Sequence, residues 1–318
     1  MNEPKVIAVV GATGAQGGGL VRAILADPAR TFAVRAITRK IDSPAARTLA
    51  SLGAEVVHGD LDESASLEHA FAGAHGLFAV TNFWEHFSPQ REFSQAANIA
   101  RAAEKAAVKH VIWSTLEDTR ERVPLSDTRM PTLMQHYKVP HFDAKGEADA
   151  LFRKLPTTFL RTSFFWDNLI HFGMGPRRGP DGRLGFVLPM GERKMPGIAA
   201  ADIGAAALGI FKRGAQLIGR TIGIAGEHLT GAEMAAALSQ ALGEPVHHIA
   251  MTPAAYAQLG FPGAEDLANM FQYYQDFCEE FCAQRPLALS RELHPGLMSF
   301  AKWLDVNASR IPGLSSAA

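Results

Sequence analysis

The stretch KVIAVVGATGAQG, residues 5 to 17, decides the fold. It opens on a short, nearly continuous apolar run, the pattern of a strand covered on both faces. Gly11, Gly14 and Gly17 then follow at three-residue spacing, ahead of a helical stretch read at residues 17 to 27. A strand, a glycine turn and a helix start in that order make a dinucleotide-binding unit. Gly11 permits the tight turn, Gly14 lets the backbone approach a pyrophosphate, and Gly17 lets the helix lie close to the strand. The helix start offers free N–H groups and the positive end of its dipole to a phosphate. Thr13 and Gln16, in the same loop, are assigned to the nucleotide with the glycines.

Outward from this unit the alternation continues. FAVRAITR, AEVVHGD, GLFAVTN and HVIWSTL read as strands two to five, and TTFLRT (157–162) as a sixth. Residues 89–106 and 143–154 carry helical spacing. Apolar strands separated by helices predict an α/β fold, a Rossmann-type doubly wound parallel sheet. After residue 163 the character changes. GMGPRRGPDGRLG (173–185) reads as a loop or hairpin. Helices are expected at 202–212, 230–242 and 264–283, with RTIGIAG as a strand between the first two. The expected division is a dinucleotide-binding Rossmann domain over 1–163 and a smaller, interleaved C-terminal lobe over 164–318. Segments near 195–226 should return to the main sheet.

The whole chain has 318 residues, 47% of them hydrophobic, enough for a large core. Its 31 basic and 32 acidic residues give no long-range pull toward nucleic acid or an anionic membrane. No apolar run approaches a membrane span, and the start of the chain lacks the layout of a signal peptide. A cytoplasmic protein is expected. Cys278 and Cys282 read as thiols, not as a disulfide framework. Despite 12 histidines, no metal-ligand spacing is found, so no metal is expected. No Gly-x-Ser-x-Gly elbow points to a hydrolase.

Cofactor choice turns on the end of the second strand. An acidic residue there would bind the 2′-hydroxyl of NAD. The chain instead reads ITRK, and Arg39 with Lys40 suits the 2′-phosphate of NADP(H). Asp60 and Leu61 close the third strand. Asp60 could accept from the adenine amino group while Leu61 covers the ring, or Asp60 could cap the next helix. Thr81 and Asn82 end the fourth strand, where ribose or nicotinamide would lie.

GATGAQG, ITRK, GLFAVTNFWE and VPHFDAKGEADALF together resemble the NmrA-like family, atypical members of the short-chain dehydrogenase/reductase group. The likeness runs on through LRTSFFWDNL, LPMGERKMPGIAAADIG and GAEDLANMFQYY, so it covers nearly the whole chain. It implies a Rossmann fold and NADP(H). Of activity it implies less, because the family includes NADP(H) redox sensors, a nitrogen-metabolism regulator acting through protein contacts, and quinone or aromatic-ether reductases.

In active reductases of this group a Tyr-x-x-x-Lys pair faces the nicotinamide, with a hydroxyl at the end of the fifth strand. Here HFDAK puts Lys145 at the lysine and His141 where the tyrosine would stand, with Ser114 and Thr115 supplying the hydroxyls. A histidine beside a lysine is a poor substitute for the tyrosine acid. Carbonyl reduction suffers from that more than hydride transfer to a quinone. Phe164 and Asn168, in FFWDNL, are expected at the substrate pocket. The aromatics of MFQYYQDF (270–277) read as core or, if exposed, as a protein contact. The leading expectation is an NADP(H)-binding redox sensor with a degenerate reductase site, working through a regulatory protein partner. The alternative is an NADPH-dependent oxidoreductase acting on quinones or small apolar carbonyls. A homodimer is compatible with either.

Overall fold

The computed structural model describes residues 3–312. Its central sheet begins with β1 (Lys5–Val9), β2 (Phe32–Thr38), β3 (Glu55–His58), β4 (Gly76–Ala79), β5 (His110–Thr115) and β6 (Thr157–Arg161). The remaining strands are β7 (Phe164–Phe165), β8 (Arg177–Arg178), β9 (Leu184–Val187), β10 (Met195–Ile198), β11 (Thr221–Gly223), β12 (Glu227–Leu229) and β13 (Val246–Ile249). The seven-stranded sheet has the order β11-β6-β5-β4-β1-β2-β3, and every pairing in it is parallel. Between β1 and β4 the order reverses, and a crevice at such a switch point takes the ligand in doubly wound folds.

Helices cover both faces. In chain order they start with α1 (Ala15–Ala26), α2 (Pro44–Ser51), α3 (Ser64–Phe71), α4 (Pro89–Lys105) and α5 (Pro140–Phe152). There follow α6 (Asn168–His171), α7 (Ala200–Arg213), α8 (Gly231–Leu242), α9 (Pro253–Ala257), α10 (Ala264–Asp276) and α11 (Cys278–Ala283). One core joins α1 and α7 to the sheet through Leu20, Val21, Ile203 and Ile210. Another joins α3, α4 and α5 to the opposite face through Phe71, Ile99, Trp113 and Phe152. Burial on both faces is why these strands are apolar at nearly every position.

Two small sheets build the rest. One has the order β12-β10-β7, the other β13-β9-β8. The segment 173–185 becomes a hairpin, with β8 antiparallel to β9. The aromatic stretch 264–283 is not one helix but two, broken at Phe277. Phe271, Tyr273, Tyr274 and Phe281 are all buried in a third core shared with Phe142, Phe164 and Trp166. These rings therefore make no exposed patch for a protein partner.

Candidate functional site

The glycine loop lies open at the carboxyl end of β1. Gly11, Thr13 and Gly14 are exposed. Gly11 has φ +64°, where a side chain would be strained. A Cβ on Gly17 would sit 2.4 Å from the Gly11 carbonyl oxygen, so α1 could not approach the turn with any other residue there. Gly14 is the N-cap of α1, without a side-chain cap and without an acidic residue in the first turn. A helix start left this way is suited to an anionic group. The fit to a pyrophosphate is therefore physical, not only a matter of pattern.

Around the loop, Gln16 accepts a hydrogen bond from the Ser114 hydroxyl at 2.7 Å, joining the turn to the end of β5. Arg39 and Lys40 are exposed just beyond β2. The Arg39 guanidinium pairs with Glu85 at 2.5 Å. Asp60 does not cap α3: its carboxylate accepts from the Asp62 N–H at 3.0 Å, and Glu63 holds the cap position. Leu61 is half-buried, with its carbonyl accepting from Asn98. Asn82 is exposed beside the buried Thr81.

The second half of the site is on α5, which Asp143 anchors. This fully buried carboxylate accepts from the N–H groups of Lys138, Val139 and Thr119 and from the Thr119 hydroxyl. Burial nonetheless holds its pKa above the usual carboxylate range. Lys145, two residues later, points toward the end of β4. Its ammonium donates to the Thr81 carbonyl at 2.9 Å and the Thr81 hydroxyl at 2.7 Å. It also pairs with Glu92 of α4 at 2.7 Å. An ammonium has three N–H donors, so all are engaged. The Trp113 ring lies 5.4 Å from the same nitrogen.

Glu92 is fully buried, and burial opposes its charge. The Lys145 ammonium, the nearby His86 ring and the hydrogen bond from the Thr81 hydroxyl outweigh that penalty and bring its carboxyl down to about 2. His86 Nδ1 accepts from the Ser88 N–H, so the ring proton is on Nε2, 3.4 Å from Glu92 Oε2. Asp149, a further turn along α5, accepts from Thr115 at 2.6 Å and Trp113 at 2.9 Å. Burial pushes its carboxyl up to about 6.

His141 also turns out to be partnered. Asp266 of α10 grips it twice, with Oδ1 at 2.6 Å from the ring Nδ1 and Oδ2 accepting the backbone N–H at 3.2 Å. The ring is enclosed by Trp84 (4.6 Å between centroids), Phe142 (4.8 Å) and Phe83 (6.1 Å). Tyr137 is engaged elsewhere, with Arg120 5.1 Å over its ring. Phe164 lies in the inner core facing Phe271, whereas Asn168 is half-buried at the start of α6.

Glu92 and Asp266 were not foreseen from the sequence. Glu92 sits in an ordinary amphipathic helix, and Asp266 reads as one of two acidic residues at a helix start. No local spacing ties either to HFDAK. A cleft of about 570 Å³, lined by Lys5, His75, Lys109 and Lys212, lies at the amino ends of the strands, away from this site. Among the described residues no group of three or more His, Cys, Asp or Glu is placed to hold a metal. No helix in the described residues is long and apolar enough to cross a membrane.

The family model "NmrA-like family" matches residues 3–304. An NmrA-like family domain-containing oxidoreductase, FrzB of Cladobotryum sp, is 31% identical over 305 residues, covering 88% of this chain and 87% of the relative. The NAD(P)H azoreductase of Xenophilus azovorans is 31% identical over 268 residues, covering 83% and 84%. Among solved structures, the negative transcriptional regulator NmrA in complex with NADP superposes with a TM-score of 0.78 at 24% identity, covering 99% of each chain.

Proposed function

Because the chain belongs to the NmrA-like family, we propose that it binds NADP(H) at the carboxyl edge of the central sheet and reduces a planar apolar acceptor, such as a quinone or an azo compound. The observation that carries this reading is Lys145, a buried ammonium held by Thr81 and Glu92 at the end of β4. Gly11, Thr13, Gly14, Gln16 and Gly17 would hold the pyrophosphate. Arg39 and Lys40 would take the 2′-phosphate, and Asp60 with Leu61 the adenine. Thr81, Asn82, Ser114 and Lys145 would border the nicotinamide ribose, with Phe164 and Asn168 on the substrate side. NADPH, when bound, supplies a hydride. The protein orients it. Two relatives named as reductase or oxidoreductase, each over 30% identical along most of the chain, support this reading.

The sensor reading keeps one specific support, the histidine where an acidic tyrosine would stand. It loses the surface it invoked, since the aromatic face of α10 is buried. The deciding experiment is anaerobic NADPH oxidation by the purified protein against a quinone, an azo dye and a cationic triarylmethane dye, repeated with Lys145→Ala. Turnover that disappears in the variant is the expected result. Tight NADPH binding with no turnover on any acceptor, together with different conformations for NADPH and NADP⁺, would favour the sensor instead.

A further inference from the structure

We propose that His141 and Asp266 are a proton-transfer pair, in which His141 Nε2 protonates the acceptor and Asp266 holds the ring for it. This rests on the reductase reading above. Three observations on the ring support it. The carboxylate at 2.6 Å can only accept, so the proton on the neutral ring is at Nδ1. Nε2 is then the atom left to take up and release a proton, because the ring's contact with a carboxylate is made through Nδ1. The imidazole is also held in place: Trp84, Phe83 and Phe142 surround it and Asp266 grips its backbone as well.

The charged groups nearby are divided between two centres on one helix. Lys145, one turn on, is satisfied by Glu92 and Thr81, and Glu92 is in turn approached by His86. Asp149 is engaged by Thr115 and Trp113. None of these is hydrogen-bonded to the His141 ring, which leaves Asp266 as its partner. Asp266 touches no substrate in this scheme and is a positioning residue.

The chemistry balances. A quinone gains a hydride, carrying two electrons, from the reduced dinucleotide. Nε2 first takes a proton from water to give the imidazolium; the quinone oxygen then gains that proton, the ring returns to its neutral Nδ1–H form, and the hydroquinone leaves. An azo group accepts the same hydride and proton across its N=N bond to give the hydrazo compound. A cationic triarylmethane dye differs, because hydride addition alone forms the C–H bond and neutralises the charge. That reduction needs no proton, so it isolates the step assigned to His141.

The bland alternative is that Asp266 only ties α10 to the start of α5 by accepting a free N–H of the first turn. His141→Asn separates the two readings, because its amide can still donate to Asp266 but has nothing at the Nε2 position. Expected are a fall of about 10²-fold in quinone and azo turnover for His141→Asn, and a fall of about tenfold for Asp266→Asn, through a misoriented ring. Dye turnover and NADPH affinity should hold in both variants. Histidine-nitrogen NMR of the unmodified protein, with no nucleotide added, should show the proton on Nδ1, and Asp266→Asn should disturb that pattern. Equal losses on quinone and dye, no loss on either, or a neutral ring that carries its proton on Nε2 and none on Nδ1 in the unmodified protein would each overturn the pair. If the unmodified protein reduces neither acceptor, the reductase reading falls and takes the pair with it. Turnover on both that ignores His141 overturns the pair alone.

Discussion

The glycine loop and the polar centre on α5 share the carboxyl edge of one sheet but are built in opposite ways. The loop is built locally. Its turn, its close approach of helix to strand and its bare helix start come from residues within one short stretch. The centre on α5 depends on distant parts of the chain. Lys145 is met by Thr81, 64 residues away, and His141 by Asp266, 125 residues away. Local backbone demands leave a mark in sequence spacing. Buried charge leaves only the demand that some partner be present.

The sharpest way to break this comparison is Lys145→Met. It leaves the fully buried Glu92 carboxylate without its counter-charge, and removing one partner of a buried pair costs about 3–5 kcal/mol. Denaturant unfolding should show that loss, and adding Glu92→Gln should recover much of it. Unchanged stability in the single variant would mean that the pair is no centre at all.

Asp149→Asn tests the same helix through pH. Burial pushes the folded carboxyl up to about 6, from an ordinary value of 3.8. A raised acid is penalised when ionised, so the penalty is absent below the unfolded value and complete above about pH 6. That difference corresponds to about 3 kcal/mol. The variant should therefore melt higher than the parent at pH 8 and no higher at pH 3.5. A gain of equal size at both pH values would point to packing instead.

In the loop, Gly17→Ala puts a methyl group 2.4 Å from the Gly11 carbonyl oxygen. Overpacking of this kind costs about 1–3 kcal/mol, and the displaced turn should weaken NADPH binding. Thermal unfolding measures the loss of stability, and calorimetric titration the loss of affinity. Binding as tight as the parent's would show that the turn tolerates displacement.

The smallest effect is expected from Arg39→Ala. Its pair with Glu85 is exposed on both sides, so folding stability should change by about 0–1 kcal/mol. The ratio of NADPH to NADH affinity should fall about tenfold, as one charge-assisted phosphate contact of about 1.5–3 kcal/mol is lost. A constant ratio would remove Arg39 from cofactor choice.

Most of the architecture could be read before the fold was known. The strands of the main sheet announce themselves because both their faces are buried, and RTIGIAG at 220–226 could be recognised as a strand on the same ground. The break at Phe277 could not, since helical spacing runs straight across it. Nor could the fate of the aromatics in α10, because an aromatic stripe looks the same whether it faces a core or a partner. Asp60 shows the limit in miniature. A cap and an Asx turn are equally open to an aspartate in that position, and the position of α3 decided it.

By itself the sequence determined the parallel sheet, the glycine turn and the place of Lys145 one turn after His141. These follow from periodicity and from backbone geometry within a few residues. Only the tertiary structure decided what Lys145 and His141 touch. Glu92 and Asp266 reach them across α4 and α10, and a carboxylate brought in from elsewhere in the chain obeys no spacing rule. It obeys only the electrostatic cost of leaving a buried charge or a helix-start N–H without a partner.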